Sequence, residues 1–100
     1  MTPPKRVRVL GHTLRVEFVA SIDDGESAGA IDYETGRVLI DSNQPLDERR
    51  STLLHEMIHG VADGMGLNWE EDKVQEVERV IFTLLRDNPT AVRWIISKKE

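Results

Sequence analysis

The chain changes its hydrophobic period near its middle. In the first forty residues apolar and polar positions alternate. "KRVRVL" places Val7 and Val9 on one side, Gly11-His12 forms a turn, and "TLRVEFV" resumes the alternation through Leu14, Val16 and Phe18. That pattern predicts a hairpin with one buried face. "SIDDGESAG" is polar and glycine-containing, hence a loop. "GAIDYETGRVLIDS" predicts two more short strands around a Glu34-Thr35-Gly36 turn. Beyond residue 45 the period becomes helical. Leu46, Leu53, Leu54, Met57, Ile58, Val61, Ala62 and Met65 recur at 3- and 4-residue steps. Asn43 or Asp47 can cap this helix with Pro45 in its first turn, and Gly64 and Gly66 suit its end. A second helix follows through Val74, Val77, Val80, Ile81, Leu84 and Leu85. Asn88-Pro89 stops it, because a proline disfavours helix at the preceding residue. "TAVRWIIS" predicts a short third helix, and "KKE" a solvated tail. The expected fold class is α+β: a small antiparallel or mixed sheet, two main helices and a short C-terminal one. Trp69 and Trp94 are expected to close the core.

Composition narrows the chemistry. At 100 residues, one domain spanning 1–100 is the expectation. There are no cysteines, so a metal site must use His, Asp or Glu. No apolar run has the ~18 residues of a membrane span, and the N-terminus has no signal-like apolar core. The expected location is therefore cytoplasmic, without a membrane partner. The net charge of −5 argues against general nucleic-acid binding. Charge is uneven, with Lys5, Arg6, Arg8 and Arg15 near the start and an acidic run from Glu70 to Glu78.

The most specific stretch is "LLHEMIHG", residues 53–60. On a helix, residues four apart are neighbours, with Cβ atoms ~5–6 Å apart, so His55 and His59 can aim at one point. A zinc ion at ~2.0–2.1 Å from each nitrogen suits that geometry. Glu56, about 100° round the helix from His55, is placed to act on a metal-activated water as general base. The helical wheel centres the apolar face near Leu54, Val61 and Met65, with Glu56 far from that centre. A zinc hydrolase needs a third protein ligand. No histidine follows His59, so a downstream ligand must be a carboxylate. A short connection over 64–69 brings the next helix back antiparallel, which makes Glu70 and Glu71 the candidates and Glu78 the reserve. Periodicity favours Glu70, which continues the stripe of Val74, Val77, Ile81 and Leu84. Asp63 is either a surface aspartate or a partner for a ligand imidazole. Tyr33 and His12 read equally as strand or turn residues and as upstream candidates for stabilising an oxyanion.

"TLLHEMIHG", the preceding "GRVLIDS" and "WEEDKVQEVERVIFTLLRDNP" together resemble small phage- and mobile-element-borne zinc metallopeptidases of the gluzincin type, among them the minigluzincins and relatives of the ImmA/IrrE peptidases. The resemblance covers residues 28–90 and is strongest at 52–60 and 70–89. It implies zinc held by His55, His59 and a glutamate of the next helix, with Glu71 preferred to Glu70, and Glu56 as the base. It implies a peptide or protein substrate, and a sheet whose edge strand, about 37–41, lines the cleft and pairs with an extended peptide. It also implies a host-cell cytoplasm if the chain is phage-borne. The alternative it leaves open is a zinc-bound module that is inactive, or latent because its C-terminal segment fills the cleft.

Overall fold

A computed structural model describes residues 1–99; Glu100, the end of the expected tail, lies outside the described residues. Four strands, β1 (Arg6–Val9), β2 (His12–Val19), β3 (Gly29–Asp32) and β4 (Arg37–Asp41), precede three helices, α1 (Leu46–Gly64), α2 (Glu71–Asp87) and α3 (Pro89–Ile96). This is the α+β architecture expected from the change of period. A one-turn 3₁₀ segment, Asp23–Gly25, interrupts the loop between β2 and β3.

The sheet is mixed, in the order β1-β2-β4-β3. β1 and β2 form an antiparallel hairpin, Val9 opposite His12, so its two-residue turn is Leu10-Gly11 rather than Gly11-His12. Both turn residues have positive φ, 50° and 82°, which matches the twist of the flanking strands. β3 and β4 form the second hairpin, closed by Asp32 Oδ1 accepting from the backbone N–H groups of Glu34 and Thr35. The hairpins join through β2 and β4, which run parallel. That order corrects one expectation. Residues 37–41 do not form an edge, because β4 is hydrogen-bonded on both sides; the edge strands are β1 and β3, and β3 is the one beside β4.

Alternation puts Val7, Val9, Leu14, Val16, Ile31, Val38 and Ile40 on the face covered by α1, where Leu53 and Met57 pack against them. Val38 and Ile40 are fully buried. The helix approaches closely because position 60 has no side chain. A Cβ there would lie 3.0 Å from Val9 Cγ1 and 3.2 Å from Ile31 Cδ1. The wheel's centre is therefore displaced. Val61 and Met65 are exposed, while Thr52, Glu56, Ile58, Gly60 and Ala62 are buried.

Neither expected cap serves α1. Pro45 occupies the cap position, and Asn43 instead donates its side-chain amide to the Ala20 carbonyl. The C-terminus closes as read from its glycines. Leu67 N–H donates to Ala62 O and Gly66 N–H to Asp63 O, with Gly66 at φ 67°. This turns the chain back so that α2 packs along α1. Arg86, near the end of α2, clasps Asp47 in the first turn of α1 through two hydrogen bonds of 3.0 and 3.2 Å. α3 packs only on α2, and Trp94 is 81% exposed, so Trp94 does not close the core.

Ile40 joins sheet to helix with no solvent contact. Ile40→Ala is expected to cost about 2–5 kcal/mol in urea unfolding with an unchanged m-value.

Candidate metal centre

His55 and His59 project from α1 with ring centroids 5.0 Å apart and planes at 70°. Across from them, in the first turn of α2, stands Glu71. Its Oε2 lies 2.7 Å from His59 Nε2, and its Oε1 contacts His55 Nε2. One donor atom from each of the three residues lies within 4.8 Å of the other two. Two imidazole nitrogens and one carboxylate oxygen form the donor set of a catalytic zinc site, and the group faces a cleft of about 550 Å³. The residues therefore fit the metal that the spacing suggested.

Of the two candidate glutamates, Glu71 is the one brought to the histidines. Glu70 precedes the first turn of α2, where its carbonyl accepts from Lys73 and Val74, and its exposed side chain is not part of the group. The periodicity that favoured Glu70 takes Val77 and Leu84 as inward positions. The buried positions of α2 are instead Val74 and Glu78, and Glu71 lies one turn before Val74 on that face. Burial raises the Glu71 carboxyl, but hydrogen bonds from His59 and His55 outweigh it, leaving the group below the usual glutamate range.

Glu78 is not a reserve ligand. It is 5% exposed and sits behind His55, its Oε1 3.9 Å from Nδ1 and therefore on the side away from Glu71. Ser51, one turn before His55, donates its hydroxyl to the same oxygen at 2.9 Å. With a metal on Nε2, His55 would carry its proton on Nδ1, the side on which Glu78 lies. Ser51 escaped the sequence reading, although its place four residues before His55 puts it on the same helical face.

Glu56 is 7% exposed, lines the cleft and makes no side-chain hydrogen bond among the described residues. It is buried rather than far from the core, because the edge strand passes directly over it. A Cβ on Gly29 would lie 3.2 Å from both Cγ and Oε2 of Glu56, and 2.5 Å from Thr52 Cγ2. Burial raises its carboxyl above the usual range, opposed by His59 and His55 and reinforced by Glu71. Gly29 is the second residue the sequence did not reveal.

The remaining candidates lie elsewhere. Tyr33 donates its hydroxyl to Asp63 at 2.7 Å, so Asp63 orients a tyrosine and not a ligand imidazole. Burial and this bond push the phenol pKa up. Tyr33, Asp63 and His12 line a separate hollow beside β1. None of the α3 residues lines the cleft, nor do the described residues after it. No helix among the described residues is long and apolar enough to cross a membrane.

No family model, no curated protein and no solved structure matches this chain. The functional reading therefore rests on the geometry.

Elemental analysis after zinc loading and desalting is expected to find about one zinc per chain, and to find it lost in His59→Ala and Glu71→Gln but kept in Glu70→Gln. Glu78→Ala is expected to weaken zinc about 10–100-fold in a chelator competition.

Proposed function

We propose that the chain is a zinc-dependent metallopeptidase acting on peptide or protein substrates. One observation carries the reading: Glu71 meets both imidazoles of His55-Glu56-x-x-His59, beside a buried Glu56 facing the same cleft. His55, His59 and Glu71 would hold the ion. Zinc at such a centre polarises a substrate carbonyl and makes a bound water acidic enough to lose a proton near neutral pH.

Glu56 does the proton work. It takes the proton of the attacking water and delivers it to the leaving amine nitrogen. Its burial suits this role, because a carboxyl raised above the usual range is a stronger base once ionised and a competent acid once protonated. Glu78 and Ser51 steady His55 from behind. Edge strand β3 borders the cleft through Gly29 and offers backbone groups to an extended peptide.

One observation favours a second reading, a zinc-bound module that binds peptides without cutting them. No Tyr, Lys or Arg is among the described residues lining the cleft, and Tyr33 is engaged with Asp63 outside it. Oxyanion stabilisation would then fall to the metal alone.

Glu56→Gln separates the two readings. The hydrolase reading expects the variant to retain zinc while cleavage of a peptide library falls at least about 10²-fold. Undiminished cleavage in the zinc-loaded variant would remove Glu56 from the mechanism, and no cleavage by the wild type would favour the binding module.

A further inference from the structure

The face of α2 turned away from α1 is apolar at its centre. Val80 and Leu84 are 63% and 60% exposed, although both lie inside a regular helix. α3 adds Trp94, Ile95 and Ile96, exposed by 81%, 70% and 69%. α3 packs on no element except α2, and the molecule is elongated, 47 × 32 × 25 Å. A helix of 8 residues gains little from its own hydrogen bonds and depends on packing. Large apolar side chains this exposed present several hundred Å² together, the size of patch that marks an interaction site.

The charges around this face indicate what covers it. At about 100° per residue, Lys73, Glu76, Leu84 and Asp87 all lie within about 40° of Val80 around the helix. Lys73 stands seven residues before Val80, and Asp87 seven residues after it. Both are exposed, and neither forms an ion pair among the described residues. Opposite charges spaced equally about an apolar centre are self-complementary. When two such helices pack antiparallel across a two-fold axis at Val80, Lys73 of each lies beside Asp87 of the other, roughly 10.5 Å from the axis on either side. A parallel pair would set like charge against like. The antiparallel pair also brings the end of each α2 that carries α3 beside the start of the other α2. Arg93, Lys98 and Lys99 then meet the end that carries Asp72 and Glu76. The cleft stays open, because Glu71 lies nine residues before Val80 and hence about 180° round the helix.

We propose that two copies of this chain associate through α2 and α3, with the α2 helices antiparallel about Val80. The pairing is independent of the metal centre. Its area suffices: a stable interface takes ~800 Å² from each partner, about 10% of a small protein's surface, and the accessible surface here is 7520 Å². The apolar patch and its border of Lys73, Glu76 and Asp87 are of that order, and Trp94 is a side-chain type enriched at such interfaces.

Sedimentation equilibrium of the full chain over a concentration series tests the pairing. The expected result is a monomer–dimer equilibrium with a Kd in the micromolar range or tighter. Leu84→Glu and Trp94→Glu are each expected to weaken the dimer at least about tenfold, with an unchanged circular dichroism spectrum because both positions are exposed. Lys73→Asp alone and Asp87→Lys alone each place like charges together twice, and are expected to weaken the dimer about three- to tenfold at low salt. The double variant exchanges the two charges and is expected to restore the wild-type Kd, a rescue that an effect on the monomer's fold does not produce. A chain that stays monomeric at every concentration overturns the pairing, whether or not the monomer binds anionic lipid vesicles. A dimer that tolerates Leu84→Glu or Trp94→Glu overturns it as well, and so does a double variant that associates no more tightly than the single ones.

Discussion

For one carboxylate to span two imidazoles, two helices must meet at a fixed depth and rotation. Glu71 reaches His55 and His59 only because α2 turns the face bearing Glu71, Val74 and Glu78 towards α1. Three contacts set that rotation. Val74 is fully buried, Ser51 binds the buried Glu78, and Arg86 clasps Asp47 at the far end of the pair. The turn over residues 65–70 fixes the remaining freedom through Gly66, whose positive φ a side chain would resist. A rotation of α2 by one residue, about 100°, would carry Glu71 away and present Glu70 or Asp72 instead.

The same constraint explains why polar groups occupy buried positions in so small a domain. Burying a carboxylate is costly unless it is hydrogen-bonded or paired, and an uncompensated one is held at the expense of stability. Glu78 has the Ser51 hydroxyl, and Thr52 donates its hydroxyl to Gln44, which in turn ties α1 to the Ala28 and Asp41 carbonyls. Glu56 has no such partner, and Gly29 brings the edge strand over it. α1 is thus two-sided. One side reaches the sheet through Leu53, Met57 and Gly60; the other lines the cleft through Glu48, Ser51, His55 and His59.

Local features were legible in the sequence, and contacts between distant segments were not. Alternation located the strands, and the 3.6-residue period located the helices, because each depends on which face of one element is apolar. The order β1-β2-β4-β3 depends on how two hairpins dock, and no local pattern records that β3 rather than β4 takes the edge. The spacing of His55 and His59 pointed to two of the three residues of the candidate metal centre, since both histidines sit on one helix. The choice between Glu70 and Glu71 turned on the rotation of α2, which the apolar stripe misjudged because a glutamate, Glu78, holds one of its buried positions. Trp94 misled for a related reason. Large apolar side chains are buried when something packs on them, and α3 meets only α2.

The central claim is that one metal ion is shared by His55, His59 and Glu71. The most direct measurement is zinc K-edge X-ray absorption on the loaded wild-type protein. The expected spectrum shows two imidazoles with nitrogens at ~2.0–2.1 Å and light oxygen scatterers completing a four-coordinate site. A spectrum with one imidazole or none, or six-coordinate zinc surrounded only by oxygen, would contradict it.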